Sequence, residues 1–258
     1  MRLPAGLAQI AAPLAIWLVG YPAQARPTPD LDALFASGDY LDAARRAEAE
    51  AGPDDLAFAA RSLLAQCMTS EKEPDVTLVN RAEADARTAL QSAPTQEEAK
   101  LQLAIALSLK SRTMNLIDAW NAGLGSEGRD LAVQVLAKDP SNYYAHGFLA
   151  VWNLEVRRRG GALGGKLLNA SVSEGQRQYE EASRLAPEDA GIHWQFARAL
   201  VALDAKRYSA EASDILRRAI ASNAEGHVES VMRARAAKLA EALKGDPRQA
   251  QALARSML

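Results

Sequence analysis

Ser126-Glu127-Gly128, Lys138-Asp139-Pro140 and His146 recur 47 residues later as Ser173-Glu174-Gly175, Leu185-Ala186-Pro187 and His193. Three marks that share one offset are an internal repeat, and a repeat of this length governs the architecture of the chain that carries it. Pro94 lies 46 residues before Pro140 and adds an earlier copy. Inside each period the residue types follow a fixed order. Ala82, Ala86, Ala89 and Pro94 are spaced 4, 3 and 5 apart, and the same spacing runs through Gly128, Ala132, Val135, Pro140 and through Gly175, Tyr179, Ala182, Pro187. Small residues at these positions admit a second helix at close range, and a proline, which lacks an amide hydrogen, stops the helix. A new apolar helix start follows each proline: Leu103-Ala104 with Leu107, Leu149-Ala150, and Phe196-Ala197 with Leu200.

Outside these periods the pattern is the same in kind. After Arg26 the apolar positions recur at helical spacing, Ala, Leu, Glu, Gln and Arg dominate, and alternating β-branched runs are nearly absent, which predicts an all-α chain. Of the 258 residues, 48% are hydrophobic, 24% charged and 5% aromatic, and these proportions exclude collagen-like, disordered and polytopic membrane classes in favour of a soluble globular protein. Thirty Lys and Arg against 32 Asp and Glu leave a formal charge of −2, so there is no global basic field and nucleic acid is not an expected partner. The single cysteine, Cys67, allows neither an internal disulfide nor a paired-cysteine metal site, and after Leu63-Leu64-Ala65 it reads as a core thiol.

Two further marks stand at the ends of the repeating region: Gly38-Asp39-Tyr40 with Ala43, and Lys206-Arg207-Tyr208 with Ala212, Leu216 and Ala219. With the large-apolar/small pairs and the closing prolines, most of residues 27 to 225 resembles the tetratricopeptide repeat superfamily. The resemblance implies a solenoid of helical hairpins, each with a helix A and a helix B, whose inner concave face holds a protein or peptide. Repeats of that family are about 34 residues long, so steps of 46 and 47 residues place an insert between helices A and B of two repeats. The inserts are related to each other, with Trp120-Asn121-Ala122 before the first Ser-Glu-Gly and Leu168-Asn169-Ala170 before the second. Each is expected to form a short third helix, followed by a serine N-cap for helix B. The segment from Tyr143 to Gly175, with His146, Trp152, Glu155 and Val156, also resembles bacterial relatives of the regulator-of-microtubule-dynamics proteins, themselves repeat proteins; a microtubule role makes no sense for an exported bacterial chain. Val228 to Leu243 reads as a further helix, broken at Gly245-Asp246-Pro247 before a short terminal one, and residues 226–258 are expected to cap the end of the array.

The first 25 residues read as a secretory signal peptide: Met1-Arg2, a mostly apolar stretch from Leu7 to Gly20, and small residues Ala23 and Ala25 at −3 and −1 of a cleavage site before Arg26. An uncleaved anchor is the alternative, although Gln9 and Pro13 interrupt an apolar run already short for a bilayer. No integral membrane segment is expected after cleavage, and the Ala- and Arg-rich style suggests a bacterial protein of the periplasm or the extracellular space.

The residues that could carry chemistry are few. Gly160, Gly165 and Lys166 match the first part of the phosphate-binding pattern G-x-x-x-x-G-K-[ST], but Leu167 stands where a hydroxyl must hold magnesium and no strand precedes. Arg157, Arg158 and Arg159 with the following glycines read as a flexible basic loop with solvated guanidiniums, or as a local contact for an anion or a phospholipid head group. His146 and His193 occupy the same place in consecutive repeats, and packing accounts for them more simply than a metal shared with Glu155. No nucleophile elbow or paired histidine suggests catalysis, and no cofactor or metal is expected. Trp120, Trp152 and Trp194 read as members of packed helices. In the family's register the concave face would carry Leu101 and Ile105, Tyr144 and Val151, and Trp194 with Arg198; of these Tyr144, Trp194 and Arg198 are the candidate binding residues.

Two functions follow. The first is a non-catalytic periplasmic scaffold that offers a concave helical surface to a protein or peptide. The second is a solute-binding accessory subunit of a transport system, in which the two inserts close a pocket over a small apolar molecule; a large enclosed cavity at the inserts would favour it.

Overall fold

The computed structural model describes residues 29–71 and 73–257. The expected signal peptide lies outside them. The described residues form twelve helices and no strand: α1 (Pro29–Ser37), α2 (Tyr40–Glu50), α3 (Pro53–Thr69), α4 (Val76–Ser92), α5 (Glu97–Arg112), α6 (Leu116–Asn121), α7 (Leu124–Lys138), α8 (Tyr143–Leu168), α9 (Val172–Leu185), α10 (Ala190–Ala221), α11 (His227–Ala242) and α12 (Pro247–Ser256).

The periodicity of the sequence is visible in the turns. Pro94, Pro140 and Pro187 each stand two residues past the end of a helix and three before the start of the next. The residues before them, Ala93, Asp139 and Ala186, adopt nearly one conformation (φ −135, −125 and −136°; ψ 76, 91 and 72°), and each amide hydrogen closes the last helical turn on Ala89, Val135 and Ala182. The small residues at the fifth position before each proline are thus helix-closing acceptors as well as packing positions. Two of the turns share a latch. His146 Nε2 donates to the carbonyl of Pro140 at 3.0 Å, and His193 Nε2 donates to that of Pro187 at 2.9 Å. The hydroxyl of Tyr179 donates to His193 Nδ1 at 2.8 Å, and His146 Nδ1 lies 2.6 Å from Gln178 Oε1. Each imidazole ties the turn behind it to helix α9, which is why a histidine stands at this place in both periods.

Caps and breaks set the other boundaries. Side chains of Asp75, Asn115, Asn142, Ser171, Asp189 and Asp246 accept amide hydrogens of the first turns they precede, as short polar side chains do at N-caps. Helix α6 and the segment of α8 after Gly161 are the two short insert helices. The serines of the Ser-Glu-Gly marks are not the caps. Gly123, in the left-handed region, precedes α7, and Ser126 Oγ donates back to its carbonyl at 2.9 Å; α9 is capped by Ser171, two residues before Ser173. Gly161 (φ 60°, ψ −150°) breaks α8 in a conformation that a side chain would strain. Asp204 breaks α10 into two helices and caps the second through Arg207 N at 3.1 Å. Helix α9 lies so close on α8 that a Cβ added at Gly175 would sit 3.0 Å from the Ala150 carbonyl oxygen.

Helices pack against sequence neighbours: α2 on α3, α3 on α4, α4 on α5, α5 on α7, α7 on α8, α8 on α9 and α10. The C-terminal helices do more than cap the last of these. Helix α11 packs on α10 and also on α1 and α3, so the contacts run in a closed circuit. The Tyr40 hydroxyl and His227 Nδ1 share a hydrogen bond of 3.0 Å, and Arg235 donates to the carbonyls of Met68 and Ser70. Arg112 donates to Met257 O at 3.2 Å, and Arg255 to Ala202 O at 3.0 Å. Two large apolar clusters result, one around Phe58, Leu63, Cys67 and Leu107, the other around Trp194, Phe196, Leu216 and Met232.

The closing helix carries a titratable joint. Burial and the neighbouring Asp189 push the Glu229 carboxyl up to about 7, and burial with Glu48 does the same to Asp85 between α2 and α4. A carboxyl raised in the folded state binds its proton more tightly there than in the unfolded chain. Its stabilising share is therefore present below the ordinary carboxylate range and is lost as pH rises through about 7. His193, lowered chiefly by burial, works in the opposite sense as pH falls. The expected outcome is a melting temperature that drops more between about pH 5 and about pH 8 in the native chain than in Glu229→Gln. Parallel thermal-melt curves for the two proteins would contradict it.

Candidate functional site

Three of the expected site residues are not an exposed face. Trp194 has 0% exposure and lies in the core with Phe196 and Leu200. Arg198 is 3% exposed, with Nη2 3.2 Å from Glu155 Oε1. Tyr144 is half-buried among Leu101, Val135 and Ala145, 4.3 Å from the ring of Tyr143. Trp194 and Arg198 are thus enclosed by neighbouring helices, Arg198 against α8 and Trp194 in a core that α11 and α12 also enter.

Arg157, Arg158 and Arg159 are likewise not a solvated loop. They lie on α8, before the break at Gly161. Arg157 Nη1 donates to Gly161 O at 3.0 Å, and Arg158 Nη2 stands 2.6 Å from Glu155 Oε2. Arg159 donates to Ser111 O at 2.8 Å, Ser111 Oγ at 3.1 Å and Met114 O at 3.1 Å. Arg157 and Arg158 are thus held within α8, by a carbonyl and a carboxylate, and only Arg159 turns toward α5 and the α5–α6 link. Gly160, Gly165 and Lys166 also lie on α8, with no strand before them.

A concave site lies elsewhere among the described residues, between the two inserts. A cleft of about 310 Å³, open on one side, is walled by Leu116, Ala119 and Trp120 of α6, Leu124 of α7, Phe148, Trp152 and Val156 of α8, and Gly164 and Leu168 beyond the α8 break. Helix α7 is pinned to both parts of α8 beside it: Arg129 Nη1 donates to Leu168 O at 3.2 Å, and Trp152 Nε1 donates to Gly125 O at 2.9 Å. Ser108, Ser111, Glu155 and Arg159 supply its polar lining. Trp120, expected to pack in a helix interface, is 48% exposed at this cleft. The inserts also hold much of the apolar surface left in water, with Ile117 72% and Leu163 68% exposed beside Leu116 and Leu167.

Behind the cleft lies a charged cluster. Glu155 is held down to about 2, against the opposing effect of its own burial, by Arg198, Arg158 and Arg112. Burial and the like charges of Arg198 and Arg158 bring Arg112 down to about 10. Burial also lowers Arg159 and Arg235. In the sequence Glu155 stood out only as a conceivable metal partner of the two histidines, and Arg112 and Arg235 carried no local signal, because α5 and α11 meet α8 and α10 only in the tertiary fold. Among the described residues no group of three His, Cys, Asp or Glu side chains is placed to hold a metal ion, and no helix is long and apolar enough to cross a membrane.

No protein-family model matches the chain, and no curated protein does either.

Proposed function

We propose that this is an exported, non-catalytic binding protein of tetratricopeptide-like repeat ancestry, which takes a small, largely apolar molecule into the cleft between its two inserts. The carrying observation is the cleft itself, which is open rather than the large enclosed cavity that would favour this reading most: about 310 Å³, walled by both inserts and by two tryptophans, at the lower end of the sizes found for small-molecule sites. The three similar proline turns, with two histidine latches, support the repeat ancestry. The chain would then serve a transport system as its solute-binding accessory.

Native mass spectrometry of the protein recovered from its own cells tests the reading. A bound small molecule that is released on denaturation supports it. Recovery bound only to another protein chain favours the second reading, a protein scaffold, for which the exposed rim of Leu116, Ile117, Leu163 and Leu167 is the specific observation.

Trp120→Ala separates binding from folding. Trp120 is about half exposed, so its loss is expected to change stability within about 0.5 kcal/mol. Removing one wall of the cleft is expected to weaken ligand binding by about tenfold or more, as for aromatic anchors at other sites. Calorimetric titration with the recovered ligand, beside a thermal melt, checks both. Unchanged affinity in the folded variant would exclude this cleft as the site.

A further inference from the structure

The cleft has a polar end whose charge is unbalanced. Arg159 and Glu155 line that end, and Arg112, Arg158 and Arg198 gather around Glu155 behind it, from α5, α8 and α10. Both Glu155 oxygens are engaged, one by Arg158 at 2.6 Å and the other by Arg198 at 3.2 Å. Arg159 and Arg112 instead donate to uncharged acceptors: Arg159 to Ser111 and Met114, Arg112 to the carbonyl of Met257. Glu73 faces Arg112 and Glu71 faces Arg235, but both acids are exposed, where water screens them. The half-buried end of the cleft therefore carries a net positive field, and Arg159 is the guanidinium that reaches the lining. A partly desolvated cation strengthens its attraction for an anion, because the local dielectric is below that of water. Away from that end the walls are Trp120, Phe148, Trp152 and Leu168.

We propose that the ligand is an amphipathic anion, an acyl or alkyl chain that lies against Trp120, Phe148 and Trp152 and carries one carboxylate or phosphate group at Arg159. The assignment rests on the reading of the insert cleft as the binding site. The volume of about 310 Å³ equals that of roughly ten waters, enough for a chain of medium length with its head group. Glu155 also lines the cleft, yet its charge is spent on Arg158 and Arg198, so it does not repel the head group as a free carboxylate would. An anion at Arg159 also relieves the mutual repulsion of the arginines behind it.

The test is calorimetric titration of the full chain at neutral pH with four probes of one chain length: octanoate, octyl phosphate, octan-1-ol and octylammonium. The two anions are expected to bind about tenfold or more tightly than the alcohol, with an advantage that shrinks in high salt, and the ammonium to bind most weakly. Whichever anion binds more tightly identifies the head group as carboxylate or phosphate. Arg159→Gln is expected to remove the advantage and leave octan-1-ol binding in place. That variant also loses bonds to Ser111 and Met114; should it fail to fold, the ratio of octanoate to octan-1-ol in the unaltered protein decides alone. Equal affinity for acid and alcohol, both weakened by Trp120→Ala, would overturn the anion and keep the cleft. Binding of all four probes that ignores Trp120→Ala, or no binding at all, would overturn both.

Discussion

Trp194→Ala is expected to destabilise the fold by about 3–5 kcal/mol, the cost of emptying a large aromatic site in a packed core. The indole is fully buried on the first half of α10, in the cluster that also holds Phe196, Leu200, Leu216 and Met232. Met232 belongs to α11, so the cavity would open against the helix that returns to α1 and α3. For a chain of this size the loss corresponds to a fall in melting temperature of roughly ten degrees or more. Urea unfolding followed by circular dichroism gives the free energy, and the melt gives the temperature. A residue on an open binding face would behave in the opposite way, with affinity lost and the melt unchanged. An unaltered melting temperature in Trp194→Ala would refute the buried assignment.

Glu155→Gln is expected to cost about as much, roughly 3–5 kcal/mol, because it leaves Arg158 and Arg198 without their carboxylate in a half-buried setting. The loss comes from orphaning the charges more than from the worth of the pairs. A second substitution therefore distinguishes the mechanism: Glu155→Gln with Arg198→Met is expected to recover part of the stability, since an apolar side chain of similar length needs no counter-charge. The pH dependence has a definite sign. The three arginines hold the Glu155 carboxyl down to about 2 in the fold. Its contribution is complete above the ordinary carboxylate range and is lost as pH falls toward about 2. Acid unfolding of the native chain should thus contain a component that Glu155→Gln lacks. If the two acid transitions have equal slopes, the cluster does not hold this carboxylate as described.

The elements of the chain were legible in its residues because each depends on neighbours in sequence. The all-α composition appears as twelve helices among the described residues, and the three prolines that share one place in the period stand in three similar turns. The buried thiol of Cys67 and the packing role of His146 and His193 were equally local inferences, and both histidines latch the turn that precedes them. The inserts were legible as short helices because the steps of 46 and 47 residues exceed the period of the family the sequence resembles, and the serine cap expected after each insert is present before α9, at Ser171, whereas Gly123 takes that place before α7.

The candidate site was not legible in the same way. Trp120 and Trp194 look alike as isolated tryptophans on helices, yet one lines an open cleft and the other fills a core. Arg157 to Arg159 followed by glycines resembles a solvated loop until the fold shows Arg158 on Glu155 and Arg159 on the Ser111 and Met114 carbonyls. Residue order by itself determined the helices, their stops and the repeat, since hydrogen bonds four residues apart and faces that recur every few residues are local properties. Only the tertiary structure decided that the helices close upon themselves through Tyr40, His227 and Arg235, which faces this buries, and that Arg112 comes near Glu155 behind the cleft. The physical reason is that closure depends on the small rotation added at each helix–helix contact, a quantity summed over the whole array and written in no single stretch of it.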